Sequence, residues 1–134
     1  FVHVSPIRSD LPVPDHLVEW LPIRPNTDTA VMLALAHELI QANLHAEDFL
    51  RSHCTGFERW RDYLQGKVDG VAKNAAWAAP ICGVPAAQLA SLARELAATR
   101  SLVNVAWSLQ RADHGQDVSL VAIKRNAESV RDVG

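Results

Sequence analysis

The sequence predicts an α/β fold in which a small, mostly parallel sheet is flanked by helices. Three observations predict it. Two short β-prone runs, Phe1 to Val4 and Val18 to Ile23, each end at a proline-bearing turn. Between Asp28 and Ala98, apolar residues recur at helical spacing and are punctuated by glycine and proline. A third apolar run, Ser101 to Trp107, follows. Strand, strand, several helices, strand, helix is the order expected of a layered α/β arrangement with parallel pairing.

Each element has its own signal. Phe1-Val2-His3-Val4 is stopped by Ser5-Pro6. Arg8-Ser9-Asp10 and the prolines Pro12 and Pro14 then predict a surface connection without a regular element. Val18 to Ile23 is interrupted by Pro22 and closed by Pro25, as in a short or edge strand. Asn26, Thr27 and Asp28 all suit a helix N-cap, and Met32, Leu35, Ala36, Leu39 and Ile40 follow on one face, so a helix is expected over about residues 28 to 43.

Asp48 to His53 and Phe57 to Leu64 predict two short amphipathic helices split by Thr55-Gly56, with Phe49, Leu50, Phe57, Trp60 and Leu64 facing inward. Gly66 to Lys73 is the most hydrophilic loop. A helix near Ala75 to Ile81 ends at Gly83, and Pro85 opens another whose Leu89, Leu92, Ala93 and Leu96 form a stripe reaching about Ala98. Ser101 to Trp107 (SLVNVAW) is expected to be a buried strand, and Asp117 to Val133 a weakly patterned helix.

Composition narrows the function classes. With 134 residues, 49% apolar side chains and a net charge of −2, the chain can bury a core and has no strong field for nucleic acid or an anionic membrane. The longest apolar-rich stretch, Thr29 to Ile40, is far short of the roughly 20 residues of a membrane span. Two cysteines, Cys54 and Cys82, make no disulfide framework, which favours a reducing compartment. The first residues carry neither a basic nor a hydrophobic export region and read as the middle of a longer chain, whose home could be cytoplasmic or periplasmic.

Ligands of such sheets bind beyond the carboxyl ends of the strands, here Ser5 to Ser9, Arg24 to Asp28, and Ser108 to His114. Pro22 to Thr29 (PIRPNTDT) joins a strand end to a helix N-terminus, where backbone N–H groups and the macrodipole favour an anion such as a diphosphate. The Asp28 carboxylate can accept from a guanine's ring N–H and amino group together. The plainer reading is that Thr27 or Asp28 only caps the helix, worth ~1 kcal/mol.

Ser5-Pro6-Ile7-Arg8-Ser9 offers two hydroxyls and a guanidinium for a ribose or phosphate, or is simply a polar turn. Gln110, Arg111 and His114 are donors suited to a polar or anionic ligand, or to ordinary loop solvation. His45, His53, Cys54, Cys82 and His114 lack paired metal-ligand spacing, so no metal ligand is assigned. A nucleophilic Cys54 beside His53 competes with the commoner reading of cysteine as a small buried hydrophobe. No phosphate-binding glycine loop and no self-contained catalytic centre emerge from the residues.

The run Trp20 to Ala36 (WLPIRPNTDTAVMLALA), with Phe49-Leu50, Gly56-Phe57-Glu58, Asp69-Gly70-Val71-Ala72-Lys73, Trp77-Ala78, Gly83-Val84-Pro85-Ala86 and Trp107-Ser108-Leu109-Gln110-Arg111 followed by His114-Gly115, resembles the molybdopterin oxidoreductase family. Within it the chain is similar to the branch of dimethyl sulfoxide, trimethylamine N-oxide and biotin sulfoxide reductases. The likeness is collinear from about Phe1 to Gly115.

That resemblance implies an interior segment of a far longer molybdenum-dependent oxidoreductase that reduces S- or N-oxides. The segment belongs to a doubly wound domain holding one guanine dinucleotide arm of a bis(molybdopterin guanine dinucleotide) cofactor. The family's post-strand loop maps onto Ser5, Pro6, Ile7, Arg8 and Ser9, and its nucleotide-binding turn onto Pro25, Asn26, Thr27 and Asp28, with Asp28 as the guanine contact. Its cofactor-proximal segment maps onto Ser108, Leu109, Gln110, Arg111 and His114. The family's molybdenum-ligating serine lies upstream of the matched stretch, so no catalytic residue is implied here.

After Gly115 the family continues with an apolar helix and a glycine-rich loop. Val118 to Gly134 is instead polar, with Lys124, Arg125, Asn126, Glu128, Arg131 and Asp132. Residues 1–115 are therefore expected to be part of a cofactor-binding domain and 116–134 a divergent, helical segment. The isolated chain is not expected to hold the cofactor; its partners are the parent's remaining domains and an electron donor. The alternative is a non-catalytic α/β binding or interaction module, or a truncated inactive gene product.

Overall fold

A computed structural model describes residues 1–105. Strands β1 (Val2–Val4) and β2 (Glu19–Leu21) form a two-stranded parallel sheet, with Val2 opposite Glu19, His3 opposite Trp20 and Val4 opposite Leu21. Five helices follow: α1 (Asp28–Gln41), α2 (Glu47–His53), α3 (Phe57–Leu64), α4 (Ala75–Cys82) and α5 (Ala86–Ala98). This is the α/β class read from the sequence, helix-rich with a small parallel sheet.

Side chains two apart in a strand share a face. Val4 and Leu21, opposite each other in the register, point together onto the helices, where Leu21 is 1% exposed and Val4 packs against the same cluster. The connection from β1 to β2 departs from expectation, because it holds two single-turn 3-10 helices, Arg8–Asp10 and Asp15–Leu17. Asp10 N–H to Ile7 O closes the first, and Leu17 N–H to Pro14 O and Val18 N–H to Asp15 O close the second, the short-range pairing left to a chain whose prolines cannot donate.

Helix α1 is the hub. Ala30, Val31, Ala34 and Leu35 join Leu21, Ile23, Ala78, Cys82, Val84 and Leu89 in one buried cluster. Leu33, Ala36 and Ile40 turn the other way, into a second cluster with Leu50, Phe57 and Leu64. The single stripe expected from the sequence is thus too narrow: α1 is buried on two sides, and Met32 and Leu39 are only half-buried. Of the inward residues expected in α2 and α3, Leu50, Phe57 and Leu64 are buried, while Phe49 and Trp60 are half-buried.

Helix boundaries fall where local chemistry sets them. Asn74 caps α4 by accepting the Trp77 N–H at 2.8 Å, and Gly83, at φ +84°, ends it. The hydrophilic loop before α4 is closed by bonds from Gly70 N–H to Gly66 O and from Lys73 N–H to Leu64 O, both 2.8 Å. Its last residue, Lys73, is 4% exposed, which the loop's hydrophilic composition does not reveal.

The expected strand at Ser101 to Trp107 does not form over residues 101–105. A strand exists only through a ladder partner, and no strand beyond β1 and β2 is formed among the described residues. Leu102, expected to be buried there, is 80% exposed. Ala106, Trp107, the Ser108 to His114 stretch and the expected Asp117 to Val133 helix lie outside the described residues. No single helix among the described residues is long and apolar enough to cross a membrane.

Candidate nucleotide-binding site

The register of β1 and β2 brings two of the three expected loops to one edge of the sheet. Because the strands are parallel and Val4 sits opposite Leu21, Ser5 and Pro22 leave the same carboxyl edge, joined by Ser5 N–H to Leu21 O at 3.3 Å. The Trp20 indole N–H crosses in the opposite sense to Ser5 O at 2.9 Å.

In the first loop, Ser5 is buried and its hydroxyl is turned inward on the loop itself. It accepts the Ile7 N–H at 3.1 Å and donates to Asp10 Oδ2 at 3.2 Å. The His3 ring meets Ile7 O at 3.2 Å. Arg8 pairs with Asp15 across the two 3-10 turns, while Pro6, Ile7 and Ser9 are exposed. Ser5 therefore shapes the loop, and what the loop presents outward is Pro6, Ile7, Ser9 and the half-exposed Arg8.

In the second loop, Asn26 adopts φ +62°, a left-handed conformation that asparagine tolerates better than most residues. Thr27 occupies the N-cap position of α1 but makes no side-chain capping bond. Its hydroxyl instead donates backward to Arg24 O at 2.6 Å, closing the turn on itself. Asp28 is the first residue of α1, half-buried, in the turn where the helix macrodipole favours a negative charge. Among the described residues its carboxylate has no hydrogen-bond or ion-pair partner.

The sequence reading passed over Arg24 within this loop. Its backbone N–H donates to Cys82 O at 2.9 Å, and its guanidinium reaches Pro80 O and, at 3.1 Å, Ile81 O. The signal available in the sequence was a cation within a turn; nothing local indicated that the end of α4 was its target.

Other polar groups lie elsewhere. A shallow open depression of about 370 Å³ near the opposite end of α1 is lined by Gln41, Asn43, His45, Glu47, Arg61 and Lys67, among others. Cys54 is half-buried and Cys82 fully buried, both free thiols. His53 stacks on Phe49 with ring centroids 4.9 Å apart, and its Nδ1 lies 2.5 Å from Ser52 Oγ.

The chain is similar to known proteins in sequence and in fold. The family model for molybdopterin oxidoreductases matches residues 8–129, running past Gly115. Biotin sulfoxide reductase of Cereibacter sphaeroides is 49% identical over 114 residues, 84% of this chain. The dimethyl sulfoxide/trimethylamine N-oxide reductase of Cereibacter sphaeroides is 48% identical over 69% of the chain, and trimethylamine-N-oxide reductase 1 of Escherichia coli K12 is 41% identical over 74%. The chain spans only 15%, 11% and 12% of those three proteins. Acetylene hydratase from Pelobacter acetylenicus has the same fold over 96% of the chain, with a TM-score of 0.66 and 23% identity, the match covering 16% of that protein. A parallel strand pair that delivers two loops to one edge, together with a family match over nearly its whole length, makes this chain a member of the molybdopterin oxidoreductase family.

Proposed function

We propose that this chain is the segment of an S- or N-oxide-reducing molybdopterin enzyme that grips a guanine nucleotide arm of the cofactor. The observation that carries the reading is Asp28: a half-buried carboxylate at the first position of α1, beyond the carboxyl ends of parallel strands, with no partner among the described residues.

The acceptor pair of this carboxylate fits guanine. An ionised carboxylate is an acceptor only, and guanine's Watson–Crick edge offers two adjacent donors, the ring N–H and the amino group. Adenine places a bare acceptor where guanine has its ring N–H and would be repelled. The positive end of α1 already faces that carboxylate, so Asp28 suits a base better than a phosphate. Phosphate or ribose contacts fall to the outward groups of the neighbouring loop, Ser9 and Arg8, and to Gln110, Arg111 and His114.

The chemistry the cofactor supplies when bound is oxygen-atom transfer from an S- or N-oxide, with two electrons and two protons giving water. The part of this chain is to bind and orient. Exposed apolar side chains around the first loop, Phe1 at 78%, Ile7 at 54% and Leu17 at 50%, suit a surface that the parent's remaining domains cover.

Asp28→Asn in the full-length parent tests the reading, because the carboxamide keeps one acceptor and loses the other. Guanine nucleotide released by acid from the purified protein should fall while the melting temperature stays near wild type. Unchanged guanine content would defeat the assignment.

A further inference from the structure

We propose that Arg24 is a positioning residue for the nucleotide turn, locking Asp28 in place by fastening the turn to the C-terminal end of α4. The inference rests on the reading of Asp28 as the guanine contact.

An α-helix ends with carbonyls that have no partner within the helix. In α4 these are answered in sequence: Ala79 O by the Gly83 N–H at 2.9 Å, Pro80 O and Ile81 O by the Arg24 guanidinium, and Cys82 O by the Arg24 backbone N–H at 2.9 Å. The last turn of α4 has no basic residue of its own. Arg24 supplies the cation that this negative helix end favours, from 56 residues earlier in the chain.

The third polar group of Arg24 works in the other direction. Its carbonyl accepts the Thr27 hydroxyl at 2.6 Å, and Thr27 O in turn accepts the Val31 N–H at 3.2 Å, one of the first bonds of α1. One residue therefore links the end of α4 to the start of α1, with Pro25 and the left-handed Asn26 spanning the gap and Asp28 next in line. Gly83 lies against Arg24: a Cβ there would meet Arg24 Nε, Cγ and Cζ at ordinary contact distances of 3.5 to 3.8 Å, so it is the backbone at φ +84°, which side chains rarely adopt, that asks for glycine. Arg24 itself is exposed, so the link is suited to setting the direction of the turn rather than to holding the core.

The test uses the cofactor-free, full-length parent and guanosine diphosphate as probe. Arg24→Met should weaken guanosine diphosphate binding on the order of tenfold and speed amide exchange over residues 25–28, with a melting temperature close to wild type. Arg24→Lys should recover part of the affinity, since an ammonium can still donate to Pro80 O or Ile81 O. Thr27→Val, which cuts the link at its other end, should also weaken binding. If Asp28→Asn weakens binding but Arg24→Met and Thr27→Val do not, Arg24 is not a positioning residue, although the guanine reading stands. If Asp28→Asn leaves binding unchanged, the guanine reading fails and this inference falls with it.

Discussion

The Lys73 ammonium lies 2.6 Å from Asp69 Oδ2, with the lysine side chain 5% exposed and the aspartate 42% exposed. It also donates to Val71 O and faces the ring of Tyr63 at 4.5 Å and that of Trp77 at 5.8 Å. A cation so enclosed ties the loop before α4 to both flanking helices. Lys73→Ala should therefore lower stability by about 2–3 kcal/mol. Lys73→Met, which keeps the length of the side chain between the two rings, should cost less. Urea midpoints of the two variants check this, and a wild-type midpoint for Lys73→Ala would contradict the arrangement.

Two carboxylates give the fold an acid-sensitive contribution. Hydrogen bonds from Lys67 and Lys73 hold Asp62 and Asp69, respectively, below the usual aspartate range. A carboxyl whose folded pKa is depressed stabilises the fold above its unfolded value of about 3.9, and that contribution is lost as pH falls through the folded value. Stability should therefore drop on acidification below about pH 4. Asp69→Asn should remove part of that drop. Added salt should weaken the exposed Asp62–Lys67 pair more than the pair whose lysine is buried.

Gly66 meets a steric limit that the other glycines among the described residues do not. At φ +75°, a Cβ there would stand 2.5 Å from Ala72 N and 2.6 Å from Val71 C, both backbone atoms. Gly70, at φ +76°, faces open space. Gly70→Ala should cost about 1 kcal/mol from backbone strain alone. Gly66→Ala should cost more, because the loop must move to admit the methyl group. Equal denaturation midpoints for the two would show that the loop yields freely.

Helix caps separate two residues of similar appearance. Asn74 accepts the Trp77 N–H and should lose about 1 kcal/mol on replacement by alanine. Thr27 makes no such cap, and its hydroxyl serves the turn. Thr27→Ala should accordingly leave the thermal unfolding of α1 nearly unchanged by circular dichroism, whereas Asn74→Ala shifts unfolding to lower temperature.

These contrasts mark what the sequence makes legible. Phe57 to Leu64 is helical over the span expected, and α1, α4 and α5 agree within two residues of their expected ends, because Gly56, Gly83, Pro85 and the polar cluster at Asn26 to Asp28 act on their own neighbours. That two loops share the carboxyl edge also follows from strand order, since parallel pairing requires it. Lys73 and Arg24 were opaque for the opposite reason: their partners include the Tyr63 ring of the preceding helix and carbonyls 56 and 57 residues away, which no local pattern encodes. The expected strand after Ser101 does not form over residues 101–105, since an apolar run alone does not supply a ladder partner.

Helix α1 is a wall common to two rooms. Because Leu35 closes one cluster and Ala36, the next residue, closes the other, neither cluster can open without exposing a side of the same helix. The hydrogen-bonded amides of the α1 interior should then exchange with solvent only when the whole packed unit opens, at a single shared free energy. The turn seated on its N-terminus is tied to that unit where Thr27 O accepts the Val31 N–H, one residue before the carboxylate of Asp28.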